Sequence, residues 1–221
     1  MAMWTKEPIP NDRGAISGLL SGVTFVAAIV GAMKLARGPI PRPGSEPEAV
    51  RTYYRDSARA ARFSATGQLV SILMLARFTA SVARLADRSD RPRALRTAAW
   101  SSGALSAASL AASAFTHASL TTGRPRSDSE VSHLARRVFV VGGPAHGVVY
   151  GIFTGVAAAA GRDAGLLGRP TARAGLAAAA AGVLSPAYFR WENAGWLIPI
   201  GRFGGYVVTG ILAARLARGT R

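Results

Sequence analysis

Long acid-free apolar stretches constrain this chain more than any other feature. A helix rises about 1.5 Å per residue, so roughly 20 apolar residues cross the roughly 30 Å of bilayer hydrocarbon. Stretches of about that length recur at 14–33, 63–82, 97–120, 138–160, 172–188 and 195–216. In lipid a backbone must satisfy its own polar groups, which a helix does. The chain therefore reads as all-α, a polytopic membrane helix bundle of about six transmembrane helices in a single domain over residues 1–221. The fifth stretch is short, so five crossings plus a re-entrant segment is the alternative. The second helix is expected to begin near Glu46, because 48–62 is amphipathic and holds no breaker. The first stretch does not read as a signal peptide, since Glu7 and Asp12 precede it and no small-x-small cleavage site follows.

Lys and Arg number 27 against 11 Asp and Glu, a formal net charge of +16. In a soluble chain that excess suggests nucleic acid. Here 49% of residues are hydrophobic and only 17% charged, which does not fit a nucleic-acid binder or a basic tail. The bases lie between the apolar stretches, so the expected partner is the lipid bilayer and no nucleic acid. Six crossings place both termini on one side. Lys and Arg flank the two sides almost equally, and only the short loops favour termini in the cytoplasm of a bacterial cell, with the chain in its cytoplasmic membrane. Nearly all the base is Arg, which together with abundant Ala and Gly suggests a GC-rich, actinobacterial coding bias.

The absence of Cys excludes disulfides, thiolate metal sites and a Cys nucleophile. His117, His133 and His146 form no ligand pair, so no metal is expected. There is no acid cluster for Mg²⁺ on a diphosphate and no Walker loop, and no cofactor is expected.

Glycines recur every fourth residue at Gly14, Gly18 and Gly22, and at Gly143, Gly147, Gly151 and Gly155; Gly201 and Gly205 make a shorter pair. Such rows let backbones approach closely, and they predict packing among the first, fourth and sixth spans. Pro144 and Pro199 are placed to bend two spans and free a carbonyl toward the interior.

Ionisable groups inside spans are costly and mark candidate sites. Arg77 and Arg202 interrupt the second and sixth spans, and either can snorkel. His146 follows a Gly-Gly-Pro bend one turn before Tyr150, as a structural hydrogen-bonder or a substrate contact. Ser102, Ser106, Ser109 and Ser113 share one helical face, a stripe that usually bonds neighbouring helices.

The segment Tyr188-Phe189-Arg190-Trp191-Glu192-Asn193-Ala194-Gly195-Trp196 joins the last two spans. Aromatics there anchor a chain at the interface, but anchoring does not need Glu192. A carboxyl among aromatic rings is desolvated, stays protonated and can act as a general acid. The rings of Trp191, Trp196, Tyr188 and Phe189 can stabilise a cation. Asp56, beside Tyr53, is a second acid that can support the first if the fold joins them; otherwise it pairs with Arg59.

Three stretches carry a resemblance: Tyr53-Tyr54-Arg55-Asp56, Gly142-Gly143-Pro144-Ala145-His146, and Leu197-Ile198-Pro199-Ile200-Gly201-Arg202-Phe203. Over most of its length the chain resembles a broad actinobacterial family of six-helix integral membrane proteins to which no activity is assigned. In size, topology and paired acids it is also similar to the small transmembrane terpene cyclases of meroterpenoid and indole-terpenoid pathways. That resemblance implies Glu192 as proton donor, Asp56 as supporting acid and no metal.

Two functions are therefore expected. The first is a membrane-embedded, metal-independent terpene cyclase acting on a lipophilic prenylated substrate. Glu192 and Asp56 would be its acids. Trp191, Trp196, Tyr188, Phe189, Tyr53, His146, Tyr150 and Arg202 would line its substrate site. The alternative is a small transporter or accessory membrane protein with a polar path through the bundle, lined by His146, Arg77 and Arg202.

Overall fold

The computed structural model describes residue 9 and residues 11–219. Among them are eight α-helices and no strand. The helices are α1 (Ser17–Leu35), α2 (Pro47–Asp56), α3 (Ala58–Ala86), α4 (Pro92–Leu120), α5 (Asp128–Val140), α6 (His146–Asp163), α7 (Arg169–Leu184) and α8 (Leu197–Arg218). A π-turn, Val141–Ala145, joins α5 to α6 in one rod of 36 residues.

Local sequence explains most boundaries. Proline opens α2, α4 and α7 in the first turn, where its missing N–H costs nothing. Ser127 caps α5 by accepting from the Glu130 N–H at 3.2 Å. Gly219 ends α8 in the left-handed region at φ 68°, which favours glycine.

Among the described residues, four segments are long and apolar enough to cross a membrane: Arg13–Leu35, Ala58–Ala86, Asp128–Asp163 and Glu192–Arg218. They correspond to the first, second, fourth and sixth expected spans. The α4 helix has the length, with 29 residues, but its many serines dilute its apolar character. The α7 helix has only 16 residues and passes into a 3-10 turn, Ser185–Phe189.

The helix expected to run unbroken from Glu46 is interrupted. Ser57 leaves the helical region at φ −111°, ψ 25°, separating α2 from α3. Its hydroxyl accepts from the Arg37 N–H at 3.0 Å, tying the break to the end of α1. The break lets α2 fold inward, where Val50, Tyr53 and Tyr54 join a small apolar cluster with Leu120 and Val131.

Helices α1, α3, α4, α6 and α8 form a closed ring, and α7 packs along α6 and α8. The main core holds Phe78, Tyr150, Phe153 and Leu212. Many large apolar side chains face outward, among them Val23, Leu73, Leu105, Phe115 and Val207. Such an apolar exterior suits lipid rather than water.

The glycine rows pack more broadly than expected. The α6 row meets α7, and a Cβ added at Gly182 would lie 2.6 Å from the Gly147 carbonyl oxygen and 3.0 Å from Gly151 Cα. A Cβ on Gly201 of α8 would lie 2.7 Å from Gly182 Cα. Three backbones therefore meet at Gly182, which belongs to no row visible in the sequence. On α1, Gly18 faces Phe78 of α3 and Gly22 faces Tyr206 of α8.

Candidate functional site

Pro144 has no N–H to complete the helical ladder, and the π-turn accommodates that loss. Carbonyls around the turn are taken up by side chains of neighbouring elements. The Val141 carbonyl accepts from Ser109 Oγ at 2.6 Å and that of Val138 from Ser113 Oγ at 3.5 Å. The Pro144 carbonyl accepts from Ser185 Oγ at 3.1 Å. The Gly142 carbonyl accepts from Arg202 Nη2. The serine stripe of α4 thus serves mainly to dock α4 on this rod.

Arg202 lies about one and a half turns into α8 and reaches toward the π-turn instead of snorkelling outward. Its Nη2 also donates to His146 Nδ1 at 3.1 Å. A guanidinium only donates, so Nδ1 accepts and the imidazole carries its proton on Nε2. That Nε2–H then donates to Ser106 Oγ at 3.0 Å. His146 is fully buried and stacks on Tyr150 at 5.4 Å between ring centroids. The Tyr150 hydroxyl bonds Thr209 Oγ1 at 3.2 Å, which places it in the core. The Arg202 guanidinium also lies 5.1 Å from the Phe25 ring centroid.

Beside this network a cavity of 330 Å³ opens among α1, α3, α4, the π-turn and α8. Phe25, Leu110, Phe139 and Ile198 give it apolar walls, and Ile40 and Tyr53 stand at the α2 end. Burial pushes the Tyr53 hydroxyl up from its ordinary value. Two polar groups in the wall are incompletely partnered. Arg202 Nε makes no hydrogen bond. Gln68 is 7% exposed; one end of its amide meets Ser64 Oγ at 3.3 Å and the other meets nothing. Among the described residues, no carboxylate lines the cavity.

The structure thus joins His146 and Arg202, with Tyr150 behind them and Tyr53 across the cavity. It does not enclose Glu192 as expected. Tyr188 and Phe189 lie in one 3-10 turn and Glu192 to Trp196 in a second, with extended Trp191 between them. These turns swing the segment outward, leaving Glu192 exposed, Trp191 72% exposed and Trp196 75% exposed. Asp56 is exposed and pairs with Arg55 at 3.1 Å, not with Arg59. It borders a groove with Arg37 and Glu48, whereas Tyr188 and Phe189 border another beside Arg136. Arg77 is exposed near Gly14, toward the N-terminal end of α1 and away from Arg202.

Sequence reasoning missed Gln68 and Phe25. Gln68 carried a usable signal, being a lone amide within an apolar stretch. Phe25 carried none.

Comparison of the chain with protein-family models, with curated proteins and with solved structures gives no match.

Proposed function

We propose that the protein is a six-crossing membrane protein that takes a small amphiphilic molecule into the cavity beside Arg202, as a small transporter or an accessory binding component. The observation that carries this reading is the cavity itself, with mostly apolar walls and two half-satisfied polar groups, Arg202 Nε and the Gln68 amide. Such pockets bind ligands through apolar contact and a few placed polar groups. Buried polar groups without partners are uncommon, and a polar head group would satisfy both.

Packing supports six crossings. The α4 helix is about 44 Å long and lies between α3 and α6, both of spanning character. The α7 helix is about 24 Å long, and its 3-10 extension adds roughly 10 Å. It lies along α6 and α8. A bacterial cytoplasmic membrane with termini inside remains the proposed setting.

Acid-initiated cyclisation receives less support, because the cavity has no carboxylate and Glu192 is exposed. Equilibrium binding of radiolabelled dodecanol and laurate to purified protein in nanodiscs tests the reading. Saturable binding of either probe, competed by its unlabelled form, is expected. Absence of saturable binding by both would refute a ligand cavity. Catalytic change of a prenylated probe, lost in Glu192→Gln, would restore the cyclase.

A further inference from the structure

We infer that the molecule held in this cavity carries an anionic head group, of carboxylate type, and that Arg202 is the residue that selects it. This inference rests on the ligand-cavity reading above and names the ligand's charge.

Arg202 holds its charge permanently, since a guanidinium is not deprotonated in proteins. A cation at membrane depth normally pairs with an acid or reaches water. Among the described residues Arg202 has no acid: its bonds go to the Gly142 and Gly143 carbonyls and to His146 Nδ1. The ion pairs among the described residues do not include it. Carbonyl dipoles, a neutral imidazole and the Phe25 ring orient the guanidinium without neutralising it.

The donor arrangement points the same way. All three bonds leave from Nη2; Nε is buried without a partner, and Nη1 donates to none of these groups. A carboxylate accepts from several N–H groups at once, and charge-assisted bonds are about twice as strong as neutral ones. Gln68, 7% exposed in the same wall, donates its Nε2 to Ser64 Oγ at 3.3 Å and leaves Oε1 unpartnered; an amide flip on binding would turn the carbonyl to the Ser64 hydroxyl and offer an N–H to the second oxygen. The His146 proton is directed to Ser106, so the imidazole presents Arg202 with a lone pair, not a competing charge. With no acid among the described lining residues, no negative charge in the cavity opposes an anion. The apolar walls from Phe25, Leu110 and Ile198 suit an alkyl or isoprenoid tail.

Laurate and dodecanol share a chain and differ in head-group charge. In nanodiscs of zwitterionic lipid, laurate is expected to bind about tenfold or more tightly than dodecanol, the ratio one charge-assisted bond supplies. Arg202→Gln is expected to bring laurate to the dodecanol level, and Gln68→Leu to weaken laurate more than dodecanol. Equal binding of the two probes by the wild type would overturn the anion inference while leaving the cavity reading intact. Binding of neither would overturn both. Should Arg202→Gln fail to fold, the wild-type ratio and Gln68→Leu still decide, because equal probes or an unchanged ratio in Gln68→Leu count against the inference.

Discussion

Arg202 of α8 donates to His146 Nδ1 at 3.1 Å, and this one contact sets the tautomer of a fully buried imidazole. Nitrogen-15 NMR of the histidine-labelled protein at neutral pH is expected to show His146 protonated on Nε2 and bare on Nδ1. The opposite tautomer would mean that the ring is flipped and that Ser106 and Arg202 are not its partners.

Replacing the ring tests what the network contributes to stability. His146→Phe keeps the stack on Tyr150 but removes both nitrogens, leaving the Ser106 hydroxyl and one Arg202 donor short of partners. A loss of about 1–3 kcal/mol is expected, read from reversible unfolding in mixed micelles. Unchanged stability would show that the pair is incidental to the fold.

Gly182 lies where the backbones of α6, α7 and α8 meet. A methyl there meets the backbone of α6, 2.6 Å from the Gly147 oxygen and 3.0 Å from Gly151 Cα, and backbone cannot rotate aside. Gly182→Ala is expected to cost about 1–3 kcal/mol and Gly182→Val more. Gly38→Ala, with open space around it, serves as the control in the same unfolding series.

The chain has no Cys, so single cysteines report topology without background. With six crossings, Asp90→Cys and Arg124→Cys lie on opposite sides of the membrane. With four, formed by the segments at Arg13–Leu35, Ala58–Ala86, Asp128–Asp163 and Glu192–Arg218, they lie on the same side. A membrane-impermeant maleimide applied to right-side-out and inverted vesicles is expected to label the two reciprocally.

Asp12 ties the chain before α1 to α3 through Arg84 at 2.6 Å. Burial pushes its carboxyl up, but bonds from Arg84 and Ser81, the Arg84 charge and the Gly14 N–H outweigh this and hold it below its ordinary value. A carboxyl lowered by folding stabilises the fold above its unfolded value of 3.8 and loses that contribution as pH falls through the lower folded value. Thermal midpoints are therefore expected to fall more steeply for the wild type than for Asp12→Asn as the pH is lowered below 3.8. Parallel profiles would show that the pair contributes nothing.

The sequence already contained the pieces of the site, though not their assembly. Gly142-Gly143-Pro144 announces a disturbed helix from local chemistry alone, since proline lacks an N–H wherever it stands. Arg202 and His146 stood out because ionisable groups in apolar stretches are costly. Their meeting was not legible, for 56 residues separate them and only the packing of α8 on the π-turn joins them. Glu192 misled for the converse reason. Nearness to Trp and Phe in sequence suggested an enclosed acid, but two 3-10 turns carry those rings outward.

What the sequence determined by itself is the class of environment. Acid-free apolar stretches near bilayer length leave a chain few choices but helices in lipid, because each helix satisfies its own backbone. Which polar groups share a cavity was decided only by tertiary structure. Hydrophobic periodicity is nearly blind in lipid, where both faces of a helix are apolar. Close glycine contacts and side-chain bonds to the carbonyls of the π-turn therefore set how the helices meet, and those depend on three-dimensional fit.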